Sequence, residues 1–498
     1  MPATRFPSPF KLPNQEDHML MPPLEVVIMA AGKGTRMRSA RPKVLHRLAG
    51  LPLLQHVLQT GRELGAHRLI TVTGHGAELV ESAMRAALPE LPLAFVRQEP
   101  QLGTGHAVQQ AVPVLGDDGV TLILNGDVPL VRADTARALV EACGGKRLAL
   151  LTVLLDDPSG YGRIQRRESV DTDGQPASEV LGIVEHKDAT PEQRLIREGY
   201  TGMMAVPTRQ LKQWLARLNN HNAQGEYYLT DIVAMAVADG VPVTATLAAS
   251  ETEVLGVNSP LQLADLERRY QRARAELLLE EGVRLADPAR FDVRGQLECG
   301  RDVEIDVNCI FEGKVSLGDD VHVGANCVIR NASIAAGAVI HPFTHIDGEA
   351  LGVQVGEGAL IGPFARLRPG ARLGREVHIG NFVEVKNSTL ADGAKANHLA
   401  YLGDAVVGER VNYGAGSITA NYDGANKHRT VIEADAHIGS NCVLVAPVTI
   451  GAGATIGGGS TIAKDAPAGQ LTVARARQAS LPAWKRPAKA AKKAASGG

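Results

Sequence analysis

The sequence predicts two unlike architectures in series: an α/β domain with a mainly parallel sheet over residues 25–260, and a parallel β-helix of hexapeptide repeats over residues 282–484. A long helix over 261–281 joins them. Three observations carry this. Val355, Ile361, Leu367, Leu373, Ile379 and Val385 stand six apart, and the beat resumes at Ile432, Ile438, Leu444, Ile450, Ile456 and Ile462. On an α-helix six residues turn a side chain by about 600°, so the members would share no face. On extended chain six is even, and all of them point one way. With Gly, Ala, Asn and Asp between them, this is the pattern of a stacked hexapeptide prism, beginning at about Arg301. Second, residues 26–260 alternate short apolar runs with helical stretches, which argues for a parallel sheet covered on both faces. Third, Leu263, Leu266, Tyr270, Ala273 and Leu277 follow a 3-4-3-4 spacing, one apolar stripe on a helix.

Taken in order, Val26–Ala30 reads as a buried strand running into a glycine loop, and Pro52–Leu64 as an amphipathic helix. Leu69–Thr73, Leu93–Val96 and Leu122–Leu124 are further strands, so ligands are expected beyond the strands' carboxyl ends. The helix over 261–281 is a rigid linker, with a coiled-coil oligomerisation segment as the alternative. Asn421–Arg429 interrupts the six-residue beat, and such insertions become loops on one face. Residues 1–24 carry mixed charges and no apolar core, which predicts a disordered extension, with Met19 or Met21 as an alternative start. Residues 485–498, with five Lys and Arg among Ala and Gly, read as a basic flexible tail.

Composition narrows the class. A chain of 498 residues holds at least two cores, 53 glycines suit a turn-rich β architecture, and 4% aromatics suit a narrow solenoid. A net charge of −2 gives no footprint for nucleic acid or a membrane surface. No apolar run is long enough to cross a bilayer. Five scattered cysteines without a CxxC pair fit reduced thiols in the cytoplasm.

The segment Ala30-Ala31-Gly32-Lys33-Gly34-Thr35-Arg36 follows a strand directly. It lacks the Ser/Thr and glycine spacing of a P-loop and the third glycine of the dinucleotide fingerprint. A bare tight turn is its plain reading. Lys43, a few residues on, adds an ammonium to the loop's amides and the Arg36 guanidinium, a set suited to a triphosphate. Asn125-Gly126-Asp127 ends the strand Leu122–Leu124, where a carboxylate can hold Mg²⁺ against phosphates or simply cap a turn.

The combination AAGKGTRM…PKVLH, QLGTGHA, NGDVPL, GYGRI, IVEHKDAT and NAQGEYYLTD resembles the sugar-1-phosphate nucleotidylyltransferases. Together with the hexapeptide half it resembles the bacterial bifunctional N-acetylglucosamine-1-phosphate uridylyltransferase / glucosamine-1-phosphate N-acetyltransferase family, over roughly residues 25–487. The resemblance implies a Rossmann-like first domain, a left-handed β-helix, a homotrimer, small-molecule substrates only, and a role in cell-wall and lipopolysaccharide precursor synthesis. It implies that Met29, Ala30, Ala31, Gly32 and Lys43 hold UTP, with Arg36 and Lys43 catalytic. Gln98, Gly103 and Thr104 then read the uracil, Asn125 lines the pocket, and Gly162 and Glu185 contact the N-acetylglucosamine moiety. Asp127 and Asn258 hold Mg²⁺. One departure stands out: Tyr200 occupies a position where the family usually has a sugar-contacting Asn.

On the repeat half, Arg368, Lys386, His398, Tyr401, Asn412, Asn421 and Tyr422 crowd a scaffold that needs only small turn formers. A lone histidine there is ordinarily a surface residue. In the resembled family the matching residues carry acetyl transfer, so Arg368 and Lys386 are expected to bind the sugar phosphate, with Tyr401 and Asn412 helping to bind the sugar. His398 is the general base and Glu384 a candidate to orient it. Ala415, Asn421, Tyr422, Ser440, Gly458 and Arg475 are expected to bind acetyl-CoA. The substrate amine, with a pKa near the ~8 of an α-amino group, must be neutral to attack a thioester. A positioned base contributes about 10²–10⁴ in rate. Two other readings stand beside this: a single-function nucleotidylyltransferase with a purely oligomerising rod, and a scaffold that has lost both activities.

Overall fold

The computed structural model describes residues 23–170 and 176–487, and these divide into two compact units with the boundary at Ala273 and Arg274. Within the first, the sheet order is Val243–Leu247, Leu148–Leu154, Glu198–Pro207, Val120–Asn125, Leu24–Met29, Arg68–Thr73, Leu93–Arg97. All neighbours are parallel except Glu198–Pro207, which runs antiparallel between its two partners. Both faces are covered, as runs such as Val26–Ile28 and Leu122–Leu124, apolar at every position, require. The first strand begins at Leu24, inside the segment expected to be an extension, while residues 1–22 lie outside the described residues. An antiparallel hairpin, Gly162–Val170 with Pro176–Val184, leans on the strand Glu198–Pro207.

The helix Pro260–Glu280 changes its buried side part-way. Leu266 is buried with Met37, Leu48 and Leu53, and Leu263 and Tyr270 pack on the same cluster. Beyond Tyr270 the predicted stripe fails, because Ala273 and Leu277 are exposed. Ala275 and Leu278 are buried instead, against the first coil of the repeat unit. The stripe that packs on the first unit therefore ends before the boundary at Ala273.

The second unit is a three-faced rod of parallel strands. One face is a sheet of 11 short strands from Arg284–Leu285 to Leu471–Thr472. A second face contains Arg366–Leu367, Glu384–Lys386, Tyr401–Gly403 and Ile418–Ala420, and a third contains Arg372–Leu373, Thr389–Leu390, Ala405–Val407 and Thr430–Ile432. The members of the six-residue beat all point inward, and none is more than 5% exposed. The beat breaks between Val385 and Leu390 and between Leu402 and Val407, where the step is five residues. Pairing begins at Arg284, about one coil before the beat becomes legible. Among the described residues no helix is long and apolar enough to cross a membrane.

Candidate active sites

The strand Leu24–Met29 delivers Ala30, Ala31 and Gly32 to the carboxyl edge of its sheet. The amide of Ala30 donates to Val72 O at 2.9 Å, that of Gly126 donates to Met29 O at 2.9 Å, and Gln101 Nε2 donates to Ala31 O at 2.8 Å. Gly34, at φ 60°, lies so close to Lys43 that a Cβ would sit 2.7 Å from the lysine's own. That close approach fixes the root of Lys43. Its Nζ donates to Asp127 Oδ2 at 2.6 Å and to Asn258 Oδ1 at 3.1 Å, and Arg36 donates to the same Asn258 oxygen at 3.0 Å. Asp127 and Asn258, 84 and 215 positions from Lys43, therefore converge on its ammonium. This is the arrangement a metal would need: two oxygen donors aimed at a common positive charge, of which only one is a carboxylate. Mg²⁺ is typically held by one or two carboxylates plus substrate phosphates, so the donor set fits it.

Gln98 is buried and donates to Gly103 O at 2.9 Å. Gly103, at φ 108°, opens the helix Thr104–Gln109, and a side chain there would collide with Tyr227 O at 2.7 Å. Thr104 Oγ1 accepts from the Leu229 amide at 3.1 Å, so the two motifs QLGTGHA and GEYYLTD are stitched together. Asn125 Nδ2 donates to Thr201 O at 3.3 Å. Gly162, Glu185 and Tyr200 also meet: a Cβ on Gly162 would lie 3.8 Å from both Glu185 Oε2 and Tyr200 Cβ. Burial pushes the Glu185 carboxyl up, against a hydrogen bond from Thr230 at 2.9 Å. Tyr200 is enclosed in the cluster of Ile164, Leu150 and Met204, and its hydroxyl has no partner among the described residues. Burial, with Glu185 adding, holds that phenol well above its usual range.

On the rod, His398 ends the strand Lys395–His398 at the corner between the first two faces and is exposed. Its Nδ1 lies 2.8 Å from Asn381 Oδ1. An amide oxygen only accepts, so in the neutral ring Nδ1 carries the proton and Nε2 is left with its lone pair, the tautomer a general base needs. Glu384 does not orient the imidazole: it accepts from Arg368 at 2.8 Å and from Arg366 at 3.5 Å. Lys386 lies beside Lys427, and that neighbouring ammonium, with burial and Arg368, holds Lys386 below the usual lysine range. Arg368 is paired with Glu384 and Asp404 offsets part of the charge, yet Lys386 and Lys427 still repel, a spot that a further anion would relieve. Lys427 escaped the sequence reading; the signal was the only lysine in the insertion Asn421–Arg429, brought back by a hairpin bridge to Tyr422. Asn421 Nδ2 donates to Asp404 at 2.5 Å, while Tyr422 is exposed with its hydroxyl on Gly424 O at 2.6 Å.

The other residues divide. His398, Ala415, Ser440 and Gly458 occupy one corner column in successive coils, each the carbonyl to which the next corner's amide donates, at 3.3, 2.7 and 2.8 Å for the first three. Arg475 donates to Gly458 O at 2.6 Å, closing the column. A Cβ on Gly458 would meet only Ser440 backbone at 3.4 Å, so alanine fits there equally well. Asn412 stands apart from Arg368, Lys386 and Tyr401. It lies on the 11-stranded face, in register with Lys395 and His437. All five cysteines are free thiols and none belongs to this cluster.

Comparison with known proteins agrees with both halves. Residues 26–163 match the MobA-like NTP transferase domain. Residues 352–387 and 429–464 match the bacterial transferase hexapeptide (six repeats), and 300–331 the hexapeptide repeat of succinyl-transferase. The chain is 76% identical over 466 residues to a bifunctional protein GlmU of Methylibium petroleiphilum, covering 94% of this chain and 99% of the relative. It is 69% identical to that of Polaromonas naphthalenivorans, covering 95% and 99%, and 58% identical to that of Aromatoleum aromaticum, covering 94% and 99%. An α/β phosphate pocket and a hexapeptide rod with a poised imidazole, in one chain of matching length, leave one conclusion: the chain belongs to the family of bifunctional GlmU proteins.

Proposed function

We propose that the two clusters divide the chemistry, the pocket at Lys43 carrying uridylyl transfer and the face at His398 carrying acetyl transfer. The chain is a bifunctional transferase of UDP-N-acetylglucosamine synthesis, which acetylates glucosamine-1-phosphate from acetyl-CoA and then transfers a uridylyl group from UTP. In the first domain, Met29 to Gly32 and Gln98 to Thr104 cradle UTP, and Asn125 lines its pocket. Gly162 and Glu185 face the sugar, while Tyr200 is buried in the apolar cluster behind them. The N-acetylglucosamine-1-phosphate oxygen attacks the α-phosphorus and pyrophosphate leaves. Both reactants are anionic, so Arg36 and Lys43 act by neutralising charge that builds up as the oxygens approach. Asp127 and Asn258 would hold Mg²⁺, which supplies further neutralisation at the phosphates when bound. The single observation that supports this is one ammonium shared by Asp127 and Asn258.

On the rod, Arg368, Lys386 and Lys427 receive the sugar phosphate, and Tyr401 lies over Gly403 at the edge of that cluster. Nε2 of His398 removes the proton from the substrate amine as its nitrogen attacks the thioester carbonyl, and the CoA thiolate departs. The column Ala415, Ser440, Gly458 leads away from the imidazole as a lane of small residues for an extended thioester arm, with Arg475 at its end, and Asn421 and Tyr422 follow the strand Ile418–Ala420 as further contacts for acetyl-CoA. The assembly is a homotrimer working in the cytoplasm, without nucleic acid or membrane partners. Its support is a ladder of exposed rings: Phe343, Phe364 and Phe382 stack at 5.0 and 5.4 Å along the corner that continues to Leu399. Exposed apolar ladders of this kind mark a surface that another chain covers.

Two half-reactions test the division. With glucosamine-1-phosphate and acetyl-CoA but no UTP, the chain releases free CoA, followed with a thiol reagent. His398→Ala loses this release while keeping pyrophosphate release from UTP and N-acetylglucosamine-1-phosphate. Asp127→Ala does the reverse. Loss of both activities from either change would refute independent sites, and absence of CoA release from the unaltered chain would leave a single-function nucleotidylyltransferase.

A further inference from the structure

The insertion Asn421–Arg429 carries Lys427 to the phosphate cluster, yet its tip has no share in the rod's core. Residues 422–427 are exposed in an unbroken row, while Asn421 before them is buried and so is Thr430 beyond the insertion. Both ends are fastened to the coils of the rod. Asn421 Nδ2 donates to Asp404 Oδ2 at 2.5 Å, the His428 amide donates to Asn421 O at 2.8 Å, and the Thr430 amide donates to Asp404 O at 3.3 Å. A short two-stranded hairpin without a buried apolar face is marginal in water, because ordering its residues costs conformational entropy that no packing returns. The tip must be held by hydrogen bonds of its own.

One carboxylate supplies three of them. Asp423 Oδ1 accepts from the amides of Ala425 at 2.8 Å and Asn426 at 2.7 Å. Its Oδ2 lies 2.6 Å from His428 Nε2, and since a carboxylate only accepts, that nitrogen donates. The Asp423 amide donates to Asn426 O at 3.1 Å and closes the same turn. These donors, the Asn426 amide first, hold the Asp423 carboxyl well below the usual carboxylate range. With the turn closed, Lys427 is bridged back to Tyr422 and its ammonium stands beside Lys386. The two ammoniums repel; Arg368 adds to the repulsion and Asp404 offsets part of it. Free lysine side chains would separate, so the bonds inside the loop impose this pairing.

We propose that Asp423 is a positioning residue for acetyl transfer: its carboxylate folds the insertion so that Lys427 is delivered to the sugar phosphate, and His428 clamps its second oxygen. This rests on the reading of Arg368, Lys386 and Lys427 as the groups that receive that phosphate. Asp423 acts through Lys427 and not on the substrate itself.

The test is a double-mutant cycle in the full-length chain, with KM for glucosamine-1-phosphate measured at saturating acetyl-CoA. Asp423→Ala is expected to raise this KM by about tenfold and to leave kcat within about twofold, while uridylyl transfer and thermal unfolding stay as in the wild type. In the Lys427→Ala background the same change is expected to add less than about twofold, because the lysine it positions is gone. A full tenfold rise in that background would overturn the proposal. Asp423→Asn keeps an oxygen for the Ala425 and Asn426 amides, so its KM is expected to rise less than that of Asp423→Ala. An equal or larger rise would mean that the turn is not what the carboxylate provides, and the proposal falls. The alkaline limb of the KM profile is a second readout. Freed of its neighbour, Lys386 keeps its proton to higher pH, so the limb moves upward in Asp423→Ala as in Lys427→Ala, with Arg368 and Asp404 still facing Lys386 in both. A limb that moves only in Lys427→Ala would remove the positioning role and leave the phosphate site standing. An unchanged KM in Lys427→Ala would refute the phosphate reading and the proposal with it.

Discussion

A single lysine, Lys427, shows how the rod's chemistry depends on charges held close together. Its ammonium lies against Lys386 and, with burial and Arg368, keeps Lys386 below the ordinary lysine range. A lowered lysine pKa means that the charge is lost at a lower pH than usual as the solution becomes alkaline. A bound phosphate dianion reverses this, because it stabilises every ammonium near it. Two effects should therefore separate in Lys427→Ala. KM for glucosamine-1-phosphate rises by about tenfold at neutral pH from the loss of a charge-assisted contact. The alkaline limb of its pH dependence moves upward, because Lys386 no longer faces a like charge. A profile that keeps its position would mean that the two ammoniums do not interact in solution. His398 depends on a neighbour in a different way, since Asn381 decides which ring nitrogen is free. That partner was not legible in the sequence, where Glu384 looked better suited to orient an imidazole. Only the register of coils brings Asn381 beside His398, 17 residues away, while Glu384 is taken by two arginines.

At the scale of elements, the strand Tyr401–Gly403 ties a proposed substrate contact to the backbone beneath it. A Cβ on Gly403 would lie 2.3 Å from the Tyr401 hydroxyl, so the glycine is what lets the ring lie flat along the face. Its φ is not positive, so the constraint is space and not backbone conformation. Gly403→Ala should displace the ring and raise KM for glucosamine-1-phosphate by about tenfold, while changing unfolding by less than about 1 kcal/mol. An unchanged KM would show that the ring bears no part of sugar binding. The inward residues of such strands were readable at once, because each rung of the prism repeats one demand: an aliphatic side chain every six residues. Where the coil shortens by one residue, as between Val385 and Leu390, the written period lapses although the stacking does not. The helix Pro260–Glu280 misled in the opposite sense, its regular stripe giving way to Ala275 and Leu278 where its packing partner changes. In the first domain the residues on one strand edge were predictable from motif order. The meeting of Lys43, Asp127 and Asn258 was expected only through the family resemblance, because three distant loops fold together to make it.

At the scale of the whole molecule, the exposed ring ladder is what separates the fates of the two activities. Phe343, Phe364 and Phe382 are each about half exposed, so the rod's own core does not depend on them. Their apolar area is instead removed from water only by association, which at roughly 25 cal/mol per Å² makes the corner the strongest adhesive feature of that surface. Phe364, stacked on a ring above and another below, is the centre of the ladder. An aspartate there would place like charges together wherever corners meet about an axis, and it would strand a carboxylate in an apolar contact. Phe364→Asp is therefore expected to sediment as a monomer at micromolar concentration while keeping the thermal unfolding of the rod. Acetyl transfer should fall by at least about 100-fold, since one copy alone leaves His398 on an open corner. Uridylyl transfer should keep its wild-type kcat and KM, because the Lys43 pocket is assembled entirely from residues of the first domain. A monomer that still acetylates at the wild-type rate would show that each rod holds a complete site.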